Sequence, residues 1–262
     1  MITALPPPIV AGELVRLQTR QHVVALTFDG GGNAATASSV LAVLRRERVN
    51  GTFFLTGHFV KAYPALARAI GRRYPVGNHT VNHVDLRRLS DGAVANEITQ
   101  ARRMVARATG RDPRPYFRFP YGARDARTLA IVHRLGYASV RWTVDTLGWM
   151  GRTIQTVPGA VRRVLAGLVP GEIVMMHLGS SRDGSTIDAR ALPRVIRAVR
   201  ARGYRFVTLA GVRAPTPLTG RQRDCFRSAS RTAESTLSTP STRCSRFAVP
   251  AQSANALPSS PG

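Results

Sequence analysis

Segments with the apolar pattern of buried strands alternate with helix-like segments from residue 22 to about residue 210. The first is the continuous apolar run 23–28, which has the length of a buried strand and ends in a glycine cluster. We predict further strands at 52–55, in a short stretch beginning at Val76, and at 116–119, 138–144, 172–176 and 205–209. We predict helices at 35–48, 58–72, 91–109, 125–135, 156–168 and 189–202, with Ser90 capping the third of them and Gly110 ending it. Seven such alternations predict an α/β fold of about seven parallel strands, closed or nearly closed into a barrel.

The two ends of the chain differ from this region. We interpret residues 1–19 as an N-terminal extension and residues 20–213 as one domain. Residues 214–262 are rich in Ser, Thr, Pro, Arg and Ala with few apolar anchors, so we predict a disordered tail. Cys225 and Cys244 lie in that tail and could pair, although nothing requires it. No apolar stretch of about 20 residues is present, and the first residues do not read as a convincing signal peptide, so we expect no membrane span.

The charge of the chain is strongly positive, at a formal +24. Such a charge ordinarily suggests nucleic acid or an anionic surface as a partner. Here the basic residues are almost all arginines, since Lys61 is the only lysine, and they are scattered along the chain. No run resembles a basic arm and no aromatic pattern would stack bases. We therefore expect no nucleic-acid partner.

Polar residues that can carry chemistry follow several of the predicted strands. In an α/β barrel the carboxyl ends of the strands meet on one face, where catalytic residues converge. His79 and His83 are four residues apart, so both imidazoles can face one side and bind one metal ion, although a chance or surface pair would show the same spacing. Arg118 lies in an apolar strand and would be costly to bury alone, so we expect it to pair with a carboxylate.

Five motifs occur in a fixed order at these strand ends: 27–31 (TFDGG), 79–83 (HTVNH), 118–122 (RFPYG), 145–149 (DTLGW) and 175–177 (MMH). With these motifs the chain resembles the polysaccharide deacetylases (the NodB-homology domain), which include chitin deacetylases and peptidoglycan N-acetylglucosamine deacetylases. The resemblance covers roughly residues 20–210. It implies a distorted (β/α) barrel, metal-assisted hydrolysis of N-acetyl groups on a polysaccharide, and a place outside the cell or in the cell envelope.

The resemblance also implies roles for individual residues. Asp29 matches the catalytic base, and Arg118 the arginine that pairs with it. The backbone N–H of Tyr121 matches the group that helps to hold the oxyanion. His177 matches the general acid that protonates the leaving amine, and Asp145 the carboxylate that keeps this histidine protonated.

Further matches concern the metal and the walls of the pocket. His79 and His83 match two ligands of one divalent cation, for which zinc is our first choice. Trp149 matches the aromatic wall that receives the acetyl methyl group, and Met175 stands where leucine is usual in the same wall. The plainer alternatives are a strand-end carboxylate that caps a loop for Asp29, a structural histidine for His177, and an ordinary core aromatic for Trp149.

Two positions depart from the family pattern. Gly30 occupies the position of the third metal ligand, so a water molecule, Asp29 or Asn33 would have to fill the gap. Gly148 replaces the second carboxylate of the usual Asp-x-x-Asp-Trp motif. The sequence therefore predicts a monomeric, metal-dependent polysaccharide deacetylase. The alternative is a non-catalytic, glycan-binding relative that has lost tight metal binding, but such a protein would have no need of both Asp29 and His177.

Overall fold

The structure of the protein, a computed structural model, describes residues 13–181 and 183–210. The predicted disordered tail and the two cysteines lie outside the described residues, as do the first 12 residues of the predicted N-terminal extension.

The described residues form one nine-stranded, curved sheet. Its strands are β1 (Glu13–Leu14), β2 (Val23–Gly30), β3 (Thr52–Leu55), β4 (Val76–Asn78), β5 (Tyr116–Phe117), β6 (Ala138–Val140), β7 (Val144–Asp145), β8 (Glu172–His177) and β9 (Arg205–Val207). The order is β1-β6-β5-β4-β3-β2-β8-β7, and β9 pairs with the first residues of β2. All of these strand pairings are parallel. The predicted α/β, barrel-like fold is confirmed, with β1 as a strand that the sequence pattern did not indicate.

Strand β2 lies at the centre of this sheet. All eight of its residues are buried, and it pairs with β3 on one side and with β8 on the other. A parallel strand that is covered on both faces needs apolar side chains on both, which is why residues 23–28 are apolar apart from Thr27, whose hydroxyl donates to Val174 O. The register places Asp29 directly beside His177 on β8.

The segment 138–145 connects β6, which lies next to one end of the sheet, with β7 at the other end. The prediction of one strand at 138–144 was wrong, because the chain bends after Val140: β6 pairs with β5, whereas β7 pairs with β8. The bend turns two carbonyl groups toward Arg118, whose Nε donates to Val140 O (3.2 Å) and whose Nη2 donates to Arg141 O (3.0 Å). One bent segment therefore bridges both ends of the sheet and curves it toward a barrel.

Seven α-helices cover the outside of the sheet in the described part of the chain. They are α1 (Ala37–Arg46), α2 (Gly57–Ala62), α3 (Pro64–Arg73), α4 (Asp91–Thr109), α5 (Ala126–Arg134), α6 (Val157–Ala166) and α7 (Ile187–Arg200). The single helix predicted at 58–72 is divided at Tyr63, because Pro64 starts a new helix and cannot continue the previous one. The predicted ends of α4 are confirmed: Ser90 accepts from the Ala93 N–H, and Gly110 takes a left-handed conformation at φ 74°.

Residues on β2 alternate between two environments. Val24, Leu26 and Phe28 pack against the helices, whereas Ala25 packs in the barrel interior with Phe54, Tyr116, Val140, Ile173 and other apolar residues. Because strand side chains alternate with a period of two, Thr27 and Asp29 point to the same side as Ala25. The apolar interior therefore forms the floor below Asp29. None of the described helices is long and apolar enough to span a bilayer.

Candidate active site

A cleft of about 500 Å³ opens above this floor, at the carboxyl ends of the strands. The residues that line it include Asp29, His79, His83, Tyr121, Trp142, Asp145, Trp149, Met175 and His177. The structure thus brings eight of the nine sequence-predicted site residues to one cavity. The ninth, Arg118, is buried and contacts Asp29.

Asp29 is held by Arg118 in an ion pair. Arg118 Nη1 donates to Asp29 Oδ1 at 2.6 Å, and both side chains are almost fully buried. The guanidinium also lies over the Phe54 ring, with Cζ 4.1 Å from the ring centroid. Burial raises the pKa of the Asp29 carboxyl, but Arg118, His79 and His177 together outweigh it and the pKa is lowered overall. Asp29 is therefore an ionised carboxylate at neutral pH.

His79 presents a bare ring nitrogen to this carboxylate. Its Nδ1 lies 2.8 Å from Arg118 O, and because a carbonyl oxygen only accepts, Nδ1 carries the proton. Burial lowers the pKa of His79, so the ring is neutral and Nε2 is a free lone pair. Nε2 and Asp29 Oδ2 are 3.7 Å apart. Two lone-pair acceptors facing each other in a buried site fit a cation beside them.

His83 completes the histidine pair. Its ring makes an edge-on contact with His79, with centroids 4.8 Å apart, and a second with Tyr121 at 4.6 Å. Burial, together with the neighbouring His79, lowers the pKa of His83 to about 4, so this ring is also neutral. Neutral imidazoles are the form that binds divalent metals.

Left-handed backbone conformations concentrate around this cleft. Five non-glycine residues of the described chain have positive φ, and four of them, Thr80, His83, Tyr121 and Leu147, are in the motif loops. Such conformations are disfavoured for residues with a Cβ, and they persist where the surrounding structure enforces them. The loops are therefore shaped to aim specific groups into the cleft.

The described residues contain no group of three or more His, Cys, Asp and Glu side chains arranged to hold a metal ion. Asn33, one of the proposed replacements for a third ligand, is already engaged: its Oδ1 accepts from the N–H groups of Ala35 and Ser180. A Cβ on Gly30 would lie 2.9 Å from Leu55 Cδ2 and 3.3 Å from Phe59 and Leu178 carbons, in apolar packing. A Cβ on Gly31 would instead lie 3.5 Å from His83 Cδ2.

Tyr121 offers a backbone donor to the cleft. Its φ of 58° and ψ of 4° interrupt the short 3-10 turn Pro120–Gly122, and its N–H donates to no other described residue. The side chain is exposed and flanks His83. An unpaired N–H at the rim of a cleft is suited to hold developing negative charge on an oxygen.

The carboxylate in contact with His177 is that of Asp188, and not that of Asp145 as the sequence suggested. Asp188 Oδ2 lies 3.5 Å from His177 Nδ1 and accepts from the His177 backbone N–H at 2.9 Å. Asp145 instead accepts from Leu147 N (2.7 Å) and Trp149 Nε1 (3.1 Å), so it holds its own loop. Burial lowers the pKa of His177, but Asp188, Asp29 and Asp145 together raise it overall.

Two aromatic rings and one thioether form the walls of the cleft. Trp149 is about half exposed and stands over His177, with ring centroids 6.2 Å apart. Met175 is buried in β8, where it is the register partner of Asp145 on β7. Trp142, which the sequence analysis missed, lies at the bend between β6 and β7 and packs close to Gly122.

Asp188 is the other residue that the sequence analysis missed. It lies at the second position of α7, outside every motif, so no local pattern marked it. The only signal was indirect, because Gly148 left His177 without a carboxylate at the usual position.

Known proteins provide independent comparisons. Residues 16–140 match the sequence profile of the polysaccharide deacetylase family. A chitooligosaccharide deacetylase of Azorhizobium caulinodans is 30% identical over 205 residues, covering 74% of this chain and 96% of that protein.

Solved structures of related proteins are also similar to this one. The structure resembles a crystallised peptidoglycan N-acetylglucosamine deacetylase with a TM-score of 0.70 and 27% identity, covering 76% of this chain and 91% of the other. It also resembles a pseudoenzyme of carbohydrate esterase family 4 from Bacillus anthracis, with a TM-score of 0.69 and 25% identity over 80% of this chain and 72% of the other.

Proposed function

Because the chain belongs to the polysaccharide deacetylase family, we propose that it hydrolyses N-acetyl groups from an N-acetylated glycan, with one divalent cation held by His79 and His83. The observation that supports this most directly is that Asp29 and His177 lie side by side in the sheet register, with the pKa values of the two groups shifted in opposite directions. The pKa of Asp29 is lowered and the pKa of His177 is raised, so the ionised carboxylate and the protonated imidazole are each favoured by their surroundings. A base and an acid separated in this way are what hydrolysis of an amide requires.

The roles follow from the positions of the groups. Asp29 accepts a proton from a water molecule whose oxygen attacks the carbonyl carbon of the acetamide. The N–H of Tyr121 donates to the oxyanion that forms. His177 faces Asp188 through Nδ1, which leaves Nε2 to give its proton to the amide nitrogen. The C–N bond then breaks, and the products are acetate and a free amine on the sugar.

A divalent cation at His79 and His83 would polarise the acetamide carbonyl and lower the pKa of a nearby water molecule. The bond from His79 Nδ1 to Arg118 O fixes the ring so that Nε2 faces the cleft. Zinc suits two neutral imidazoles and is our first choice. With only two histidines supplied by the protein, we expect weaker binding than at a three-ligand site.

The walls of the cleft suit a small apolar group beside a polar sugar. Trp149 and Met175 lie on the same side as His177 and would receive the acetyl methyl group. Relatives include a chitooligosaccharide deacetylase and a peptidoglycan N-acetylglucosamine deacetylase, so chitin oligomers and peptidoglycan are the first substrates to test. A peptidoglycan substrate would place the protein in the cell envelope.

A second candidate function is glycan binding without catalysis. Gly30 in place of a ligand favours it, as does the similarity to a pseudoenzyme of the same esterase family. Metal content and acetate release distinguish the two functions. The purified chain should release acetate from chitin oligomers or peptidoglycan, lose this activity with a chelator and regain it with added Zn²⁺. Stable glycan binding without acetate release at saturating Zn²⁺ would favour the binding function.

A further inference from the structure

Gly148 leaves a space beside His177 that a side chain from another element fills. A Cβ built on Gly148 would overlap the carboxylate of Asp188, with all three of its nearest atoms belonging to that group. Gly148 does not have a positive φ, so its backbone would accept a larger residue. The glycine is therefore explained by the space that Asp188 takes and not by the conformation of its own backbone.

The Asp188 carboxylate is fixed in this space by several contacts. Thr146 Oγ1 donates to Oδ1 at 2.6 Å, and the His177 backbone N–H donates to Oδ2 at 2.9 Å. The side chain is buried, with 4% of the residue exposed. Two hydrogen bonds therefore aim one oxygen at the His177 ring, where Oδ2 lies 3.5 Å from Nδ1. Nδ1 is buried and has no hydrogen-bond partner among the described residues, so the Asp188 carboxylate is the ion-pair partner that it faces.

Other charged groups face His177 less directly. Asp29 on β2 is its neighbour in the sheet register, and Asp145 lies at the end of β7. Asp29 is already paired with Arg118, and Asp145 holds the 147–149 loop. The neutral rings of His79 and His83 lie across the cleft. Asp188 is thus the carboxylate placed to act on Nδ1.

We propose that Asp188 is the positioning residue of His177. It orients the ring with Nδ1 toward α7 and Nε2 toward the cleft, and it stabilises the protonated ring. Residue 148, as a glycine, cannot supply a carboxylate to His177, and Asp188 in the first turn of α7 supplies one instead. This inference rests on the proposed function for its kinetic consequence, but not for the coupling between Asp188 and His177.

The first test is the Asp188→Asn variant, which keeps the shape of the side chain: its amide oxygen can accept from the His177 N–H, and its NH2 group can donate to Thr146 Oγ1. Removing a carboxylate beside an imidazolium lowers its pKa. The basic limb of the kcat profile should therefore move to lower pH by about one unit, and kcat at pH 8 should fall about tenfold. Asp145→Asn should shift the basic limb of the kcat profile by less. Asp112→Asn removes a negative charge outside the cleft and should leave the basic limb where it is.

A second test uses the shared space of residues 148 and 188. Gly148→Ala should displace Asp188 and lower kcat, whereas in an Asp188→Ala background the same change should cost nothing further. Gly148→Asp in that background should return part of the lost activity, because it supplies a carboxylate from the vacated space. Full activity of Gly148→Ala would overturn the shared-space argument.

The pKa of His177, measured by NMR on protein with labelled histidines, gives a readout that needs no substrate. It should fall in Asp188→Asn by the same amount as the kinetic limb. An unchanged pKa in the folded variant, or a larger change in Asp145→Asn, would overturn the proposal. If the wild-type chain releases no acetate, the proposed function fails, and the NMR titration still decides the role of Asp188.

Discussion

Arg118 reaches across the barrel interior to Asp29, with Nη1 2.6 Å from Oδ1, although 89 residues separate the two in the chain. Arg118 follows β5 and Asp29 is in β2, and β3 and β4 lie between these strands in the sheet. The same guanidinium binds the carbonyl groups of Val140 and Arg141. One side chain therefore favours the ionised form of the proposed base and also holds the bend between β6 and β7 through hydrogen bonds.

Arg118→Leu should remove both effects. A buried carboxylate left without its partner is costly, so the free energy of unfolding should fall by about 3–5 kcal/mol. The matched control is Arg102→Leu, which breaks an exposed ion pair with Asp112 of similar length, 2.7 Å. Its cost should be below about 1 kcal/mol. Urea denaturation at pH 7 measures the free energy of unfolding of both variants. Equal losses would show that the buried ion pair contributes no more to stability than the exposed one.

Asp29→Asn and His177→Gln should each lower turnover by at least about a hundredfold at saturating Zn²⁺, because each removes a positioned proton-transfer group. His177→Gln should bind metal as the parent does. Acetate release and metal content, measured on the same samples, separate the two effects. Near-normal turnover in either variant would show that the acid and base are assigned to the wrong residues.

Gly30→Asp and Gly31→Asp form a matched pair that tests where a third ligand can be added. A side chain on residue 30 must displace Leu55 in apolar packing, so Gly30→Asp should lower the free energy of unfolding. A side chain on residue 31 begins beside His83, so Gly31→Asp should bind Zn²⁺ more tightly than Gly30→Asp and the parent. Calorimetric titration compares the three. Tighter binding in Gly30→Asp would show that its carboxylate reaches the histidines despite the packing.

The metal-free protein should lose stability on acidification through the histidine pair. Burial lowers the pKa of His79, and it lowers that of His83 from 6.5 to about 4. Between those two values the unfolded chain takes up protons that the native state does not, so stability falls as the pH drops through this window. Urea midpoints in the presence of a chelator at pH 7, 5.5 and 4.5 measure the slope. His83→Gln should flatten it, and an equal slope in this variant would contradict the prediction.

Glu172 should destabilise the protein at neutral and alkaline pH, relative to pH 4.5. It is fully buried in β8, Oε1 has no hydrogen-bond partner among the described residues, and burial raises its pKa from 4.5 to about 7. Because the folded pKa is raised, the native state holds a proton that the unfolded chain has released, and stability falls as the pH rises through that range. Glu172→Gln should therefore be more stable than the parent at pH 8, by about 1–3 kcal/mol, and similar to it at pH 4.5. Thermal melts at both values check this, and an equal difference at the two pH values would contradict it.

The sequence predicted the parts of the fold that depend on local patterns. Residues 52–55 and the ends of α4 follow directly from apolar runs, a serine cap and a glycine stop. The division of 138–144 into β6 and β7 was not predictable, because the two strands pair with different distant partners, β5 and β8, and the bend between them is held by long-range bonds to Arg118. Periodicity reports which residues are buried, but it does not report which neighbour each one pairs with.

The same distinction applies to the candidate site. Motif residues such as His79 and His83 were found because local spacing brings them together. Asp188 was not found, since it comes to His177 only through the packing of α7 against β8. The sequence also did not show on which face of β2 a side chain at position 30 would lie. Both faces of this strand are buried, so the apolar pattern does not distinguish them.

The bend at Val140 and Arg141 also links the shape of the sheet to the charge of Asp29. The carbonyl groups of the bend and the Asp29 carboxylate share one guanidinium, that of Arg118. Arg118 is one of the groups that lower the pKa of Asp29. A substitution that straightened the bend would therefore reach the proposed base through Arg118, without touching the cleft itself.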